Sequence, residues 1–336
     1  MIMTNTPLRV GVAGVAHVHA PGYIIESKKI TGAQFVGLWD DQPTRAQQAA
    51  QTYDTRAFAT IDALLSNIDT LVIAGENSMH YPVALAAAAR RIPTLCEKPL
   101  APSVAQAREM IEVFAKAGVQ LGTAFPVRYS PAVQRLRQTI QSGSLGETLL
   151  VRATNRGTYP GGWFGDPELA GGGAIMDHTV HVADLVRWIW QQEFNDVYAE
   201  GGTMMYDIKV DDCGMLLFTL ENGLAISLDP SWSRPSPSFP TWGDVTMEIT
   251  ATNGVVNLDA FGPRIELYSN RTGKGHWVGQ GINLDHLMIS DWLDAVRHGK
   301  PAPISGVDGL RTVELVEAAY RSVKSHQPEK VIVHPY

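Results

Sequence analysis

Between residues 8 and 124, short apolar runs alternate with stretches of helical period. The runs are LRVGVA (8–13), AQFVGLWD (33–40), DTLVIAG (69–75), PTLCEK (93–98) and VQLGTA (119–124). In SVAQAREMIEVFAKAG, Val104, Ala107, Ile111 and Phe114 recur at three- and four-residue spacing, and Gly118 closes the helix. Continuous apolar runs need cover on both faces. The pattern therefore predicts βαβ units and a doubly wound parallel sheet of the Rossmann kind.

The pattern changes after about residue 125. One helix is expected over 131–142, followed by strands with period-two alternation. Asn222-Gly223 lies between GMLLFTL and LAISLD, and Asn253-Gly254 between VTMEIT and VVNLD. Each predicts a hairpin with a type I′ turn, which needs positive φ at both central residues. Residues 157–173 hold seven glycines and read as a mobile loop. DGLRTVELVEAAYRSVKSH (308–326) reads as an amphipathic helix. The expected architecture is an α/β Rossmann domain over 1–124 and an α+β domain over 125–336 with a large, mainly antiparallel open sheet. Such a sheet, helix-covered on one face, needs a partner on the other. It predicts a homodimer or homotetramer through the C-terminal sheet.

Bulk properties narrow the function. A chain of 336 residues, 45% hydrophobic and 18% charged, suits two globular domains. A net charge of -7 argues against a nucleic-acid partner. No apolar run approaches the ~20 residues that span a bilayer, and MIMTNTPLRV lacks the charge and apolar stretch of a signal peptide. Cys96 and Cys213 form no CxxC pair, so neither a disulfide framework nor a cysteine zinc site is expected. The expected compartment is the cytoplasm.

GVAGVAHVHA (11–20) follows the first run and should open the first helix. Set against G-x-G-x-x-G, Gly14 takes the first glycine position, Ala16 the second and His19 the third. Glycines there let the backbone approach a pyrophosphate at a helix N-terminus. The fingerprint is degraded, and an ordinary tight turn reads equally well. Asp40, at the end of the second run and 26 residues after Gly14, adds the ribose-binding acid. Asp41 beside it would repel a 2′-phosphate, so NAD is expected over NADP; the two acids also read as a loop start. Gly14, Ala16, His17 and Asp40 are thus cofactor-side candidates, with a surface role the plainer reading for His17 and His19.

Two loops, ENSMH (76–80) and CEKPLA (96–101), leave the carboxyl ends of predicted parallel strands, where ligands bind in open α/β sheets. In GGGAIMDHTVHVADLVRWIW (171–190), helical spacing puts Asp177, His181, Asp184 and Trp188 on one face. His178 falls on the apolar stripe with Val182, Leu185 and Ile189, and reads as a core histidine. Asp177 and His181 are i, i+4 neighbours, suited to be a base and its orienter or an ordinary surface pair. No distant ligand accompanies them, and no metal is expected.

These segments resemble the Gfo/Idh/MocA family, which includes glucose–fructose oxidoreductase and inositol dehydrogenase. The resemblance covers nearly the whole chain. It rests on ENSMH, CEKPLA, GTAFPVRYSPAV (122–133), GSLGE (143–147) and the GGG…Asp-x-x-x-His helix. It implies an NAD-dependent dehydrogenase. Lys98 would hydrogen-bond the reacting hydroxyl, His181 would be general acid/base, and Asp177 would position the substrate or His181. Asn77 and Glu97 would contact the nicotinamide ribose, with His80 of the same loop a further cofactor-side candidate. Lys98-Pro99 is often cis in the family. The departures are Ala16 and His19.

Arg128, Tyr159, Trp163, Trp232 and Arg234 are substrate-side candidates, because aromatic faces and donors suit sugars or cyclitols; packing beneath the glycine-rich loop reads equally well for each. Two other functions stand beside the dehydrogenase: an NAD-dependent glycosidase or lyase working through transient oxidation, and a non-catalytic NAD-linked sensor.

Overall fold

The computed structural model describes residues 6–271, 273–279 and 281–336. The chain divides into two compact units: Met1–Pro126 with Asn283–Leu310, and Val127–Ile282 with Arg311–Tyr336.

The first unit runs β1 (Leu8–Ala13), α1 (Ala20–Lys29), β2 (Ala33–Trp39), α2 (Pro43–Thr52), α3 (Ile61–Leu65), β3 (Thr70–Ile73), α4 (Asn77–Ala89), β4 (Thr94–Cys96), α5 (Val104–Ala117) and β5 (Leu121–Thr123). Its strands form a parallel sheet in the order β2-β1-β3-β4-β5. An isolated parallel bridge, Leu38 to Ala57, adds a one-residue strand outside β2. With it the order matches the dinucleotide-binding sheet, and the winding reverses between β1 and β3. Every residue of β3 and β4 is buried, as two covered faces require. All five strands lie inside the predicted apolar runs, and α5 ends on Gly118 at φ 69° as expected.

The second unit carries α6 (Pro131–Gln141), β6 (Thr148–Thr154), α7 (Pro167–Ala170), α8 (Ala174–Trp190), β7 (Phe194–Gly202), β8 (Cys213–Leu220), β9 (Ala225–Asp229), β10 (Thr246–Ala251) and β11 (Gly254–Asp259). A separate hairpin, β12 (Arg264–Ser269) with β13 (Lys274–Gly279), follows. The chain then gives α9 (Leu284–His298), α10 (Gly306–Ser325) and β14 (Glu329–Lys330). The large sheet has the order β11-β10-β6-β9-β8-β7-β14. Only β6 and β9 pair in parallel, so the sheet is mainly antiparallel, as expected. α8 lies close on it. Ile175 occupies the space that side chains at Gly201 and Gly214 would take, since a Cβ at either would come within 2.7 Å of it.

Four details differ from the sequence reading. Both hairpins form, but neither Asn-Gly pair has positive φ at both positions. Leu220 N–H bonds to the Leu224 carbonyl, leaving a three-residue loop in which Gly223 alone has positive φ, 85°. In the other, Ala251 pairs with Gly254, so Thr252 and Asn253 form the turn. Second, the glycine-rich stretch read as mobile carries a 3-10 turn over Gly162–Gly165 and α7, and buries Phe164 against Trp232. Third, the reading of Asp177 and His181 as an ordinary surface pair fails: every residue of α8 from Ala174 to Val186 is buried, both of them included.

The fourth difference concerns the domain boundary. A single break between 124 and 125 misses residues 283–310, which pack with the first unit. The reason is burial: Met288, Ile289, Trp292 and Leu293 of α9 form an apolar face. Trp292 is 1% exposed, and its indole Nε1 donates to Thr70 Oγ1 at 3.0 Å. Truncating a buried aromatic costs about 3–5 kcal/mol. Trp292→Ala should therefore destabilise the first unit by about that amount, read as a lower urea midpoint.

Candidate functional site

In the first unit the site begins where the winding reverses. Gly14 has φ 81°, and a Cβ there would lie 2.4 Å from Gly75 Cα. Only glycine lets the β1 turn approach the loop after β3 this closely. Asp40, 3% exposed, receives Val15 N–H on Oδ2 at 2.8 Å and Gln42 N–H on Oδ1 at 2.9 Å. It is thus joined to the turn. The sequence reading missed Arg45, whose guanidinium bonds Asp40 at 2.8 Å, Asp41 at 3.0 Å and Glu76 at 2.7 Å. Its spacing from Asp41 (i, i+4) was the available signal.

Glu97 follows β4 and is fully buried. Oε1 accepts from His19 Nδ1 at 2.6 Å and Tyr23 OH at 2.5 Å, Oε2 accepts from Lys98 N–H, and His17 Nδ1 lies at 3.6 Å. Burial alone would raise this carboxyl. The charges of His17 and His19, with the His19 hydrogen bond and Lys98, outweigh it and hold it well below the usual range. Expected as a ribose contact, Glu97 is instead spent inside the unit, because a carboxylate without water must gather donors. Lys98 is 3% exposed, and Lys98-Pro99 is cis.

His80 also takes a different place from that expected. It is fully buried on α4, and its Nδ1 meets the Pro99 carbonyl at 2.9 Å. Burial lowers its pKa, and a neutral ring that donates to Pro99 supports the segment carrying Lys98. Asn77, 4% exposed, opens α4. Ala16 is half-buried in the turn.

In the second unit Asp177 and His181 both lie on α8, 8% and 7% exposed. α8 starts where Asp211 binds it: Oδ2 accepts Ile175 N–H at 2.7 Å, and Oδ1 accepts Gly173 N–H at 3.1 Å and Tyr320 OH at 2.8 Å. Asp177 Oδ2 accepts Trp232 Nε1–H at 3.1 Å, and His178 Nε2 lies 3.3 Å from it. His178 Nδ1 meets the Pro230 carbonyl at 2.9 Å and therefore carries a proton there. His178 is a core histidine as read, but one that faces Asp177.

The substrate-side candidates separate. Tyr159 packs on Trp232 with ring centroids 5.1 Å apart, and Trp163 stacks on Phe164 at 3.9 Å. Trp232 itself is fully buried and donates to Asp177. Arg128 is likewise not displayed. Its guanidinium bonds Asp184 through Nε at 2.7 Å and Nη2 at 2.5 Å, both residues buried. Such a charge stays buried only when paired. Arg234 bonds Asp244 through Nε at 2.8 Å and covers Phe239. The structure thus brings Asp177, His178, Trp232 and Tyr159 together on the second unit, and Gly14, His17, Asp40, Glu97 and Lys98 on the first.

Among the described residues no helix is long and apolar enough to cross a membrane. Residues 8–125 match the oxidoreductase family with NAD-binding Rossmann fold, and residues 133–257 match the GFO/IDH/MocA C-terminal domain. The chain is 28% identical over 331 residues to the inositol 2-dehydrogenase of Acidothermus cellulolyticus, covering 96% of this chain and 94% of that one. It is 27% identical over 331 residues to the D-apiose dehydrogenase of Paraburkholderia graminis, covering 92% and 84%. The fold is similar to that of GenD2 from gentamicin A biosynthesis, solved with NAD, at TM-score 0.88, 24% identity and 99% and 98% coverage. Two matching domains in the family's order, on a parallel sheet whose turn is tied to Asp40, place the chain in the Gfo/Idh/MocA family of NAD-binding oxidoreductases.

Proposed function

We propose that the protein is a dehydrogenase that moves a hydride between a hydroxyl of a sugar, cyclitol or related polyol and nicotinamide C4 of NAD. The observation that carries this reading is Lys98, a lysine kept 3% exposed at the carboxyl end of β4. Burying an ammonium is costly, and at a ligand-binding sheet edge it has a use. Lys98 hydrogen-bonds the reacting hydroxyl and stabilises the negative charge that grows on its oxygen. His181 takes the hydroxyl proton as the hydride leaves, and returns it in the reverse direction. Asp177, held by Trp232, orients the substrate or His181. The names of the relatives support the substrate class.

On the cofactor side, Gly14, Ala16 and His17 form the turn around the pyrophosphate and Asp40 takes the adenosine ribose. Asn77, with Glu97 behind Lys98, borders the nicotinamide ribose. Asp40, Asp41 and Glu76 surround Arg45. A 2′-phosphate would meet three carboxylates whose one cation is already engaged by them, which favours NAD over NADP. Tyr159 and Trp163 give the second unit half-buried aromatic faces for a sugar.

The second unit also supplies a surface for a second copy of the chain. One face of its large sheet leaves Leu150, Tyr198, Met215, Leu217 and Val255 exposed, at 41, 36, 54, 51 and 62%. They sit on neighbouring strands: Tyr198 pairs with Leu217, Leu150 with Ala225 and Thr250, and Thr250 with Val255. An apolar row of this length suits a two-fold, self-complementary contact.

A positioned acid/base contributes about 10²–10⁴ in rate. His181→Ala should lower kcat by that order while NAD binding persists, and Lys98→Met should lower kcat similarly. Unchanged turnover removes the residue from the mechanism. In wild type, NADH should accumulate stoichiometrically with an oxidised polyol in a screen of aldoses and inositols. Turnover with no net NADH would indicate transient oxidation instead. Light scattering should give a dimer or tetramer, shifted toward monomer by Leu217→Asp. A wild-type monomer would refute the sheet contact.

A further inference from the structure

The turn after β1 poses a charge problem. In a glycine-rich turn, backbone N–H groups cradle the pyrophosphate. Here Gly14 N–H is bonded to the Trp39 carbonyl, Val15 N–H to Asp40, His17 N–H to the Ala74 carbonyl, and Ala20 N–H to the His17 carbonyl. His19 N–H turns back to His17 Nδ1 at 3.2 Å. Pro21, inside the first turn of α1, has no N–H at all. The amides that would meet an anion are mostly spent within the protein. A buried carboxylate, Glu97, lies directly behind them.

We propose that the side chain of His19 replaces these amides, binding the pyrophosphate of the dinucleotide through Nε2 as an imidazolium. His19 is the N-cap of α1 but makes no side-chain cap to the helix. Its Nδ1 is committed to Glu97 at 2.6 Å, so Nε2 is the ring atom left to meet a ligand. Of the cluster, the His19 side chain is 32% exposed, whereas His17 is 1% and Glu97 is 0%. The ring thus bridges a buried anion to the open side of the turn. Protonated, it cancels the Glu97 charge that would otherwise repel a phosphate. The histidine in the third glycine position is then a substitution of side-chain charge for backbone donors, not a defect.

The proton is available. Burial opposes it, but the charge and hydrogen bond of Glu97 outweigh burial, Asp285 of α9 adds to them and Lys98 works against them; the net pKa is raised. The other titratable rings facing His19 are His17, 4.7 Å away by centroid, and Tyr23 at 6.1 Å. Glu26 lies further along α1, and is held by Lys29 and His286. Because the charged form binds, affinity is full below the free protein's His19 pKa and falls as pH rises through it, in a window above the ordinary value of about 6.5.

The inference rests on the proposed placement of the pyrophosphate at this turn, and the test separates the two. Dissociation constants of ADP-ribose, which carries the pyrophosphate, and adenosine, which does not, are measured on the full chain from about pH 6 to about pH 9, bracketing the imidazole range. The Kd of wild type for ADP-ribose should rise about tenfold, the effect of 1.4 kcal/mol, while that for adenosine stays level. His19→Asn, which keeps a donor for Glu97 but cannot be charged, should bind ADP-ribose weakly and independently of pH. The same pH slope in His19→Asn, or equal slopes for the two ligands in wild type, overturns the role of His19. Asp40→Asn should weaken both ligands at every pH. If it weakens neither, the cofactor does not sit at this turn, and that earlier reading fails by itself.

Discussion

A carboxylate removed from water must be surrounded by donors, and Glu97 imposes that condition on the ligand edge of the first unit. Its donors come from two places in the sequence: His19 and Tyr23 around the start of α1, and the Lys98 amide beside it. Satisfying one buried charge therefore fixes the approach of the β1 turn to the β4 loop. It also holds the backbone at Lys98. His80, on a third element, closes the same arrangement through the Pro99 carbonyl. Loss of any one partner would leave a desolvated polar group, and that penalty exceeds the modest net worth of a hydrogen bond.

The second unit uses the same physics around other acids. Asp211 gathers the first amides of α8 and the Tyr320 hydroxyl, and burial pushes its carboxyl up. Asp184 holds Arg128, and Asp177 faces Trp232 and His178. α8 can be buried on all sides despite carrying two aspartates and two histidines because those groups find partners inside.

Much of the fold was legible because it follows from local periodicity. The five parallel strands, α5 with its Gly118 end, and the hairpins around Asn222 and Asn253 depend on nearest neighbours along the chain. The turn types were less legible. The ladder register, rather than the Asn-Gly dipeptide, decided which residues occupy the corner. The return of residues 283–310 to the first unit left no local sign, since an amphipathic helix does not encode which apolar surface it will cover. Among site residues, Asp40 and Lys98 stood out by their place after predicted strands. Tyr23 and Asp285 did not, because nothing but tertiary proximity links them to the site; Arg45 offered only its i, i+4 spacing from Asp41.

By itself, the sequence determined the two architectures and the family, because alternation, turn residues and short motifs are properties of the chain. Only the tertiary structure decided which polar side chains are offered and which are consumed. Arg128, Trp232, His80 and Glu97 look like ligand contacts when read as residue types. Each is instead spent on an internal partner, since a buried donor, acceptor or charge costs more unsatisfied than any pattern along the chain can reveal.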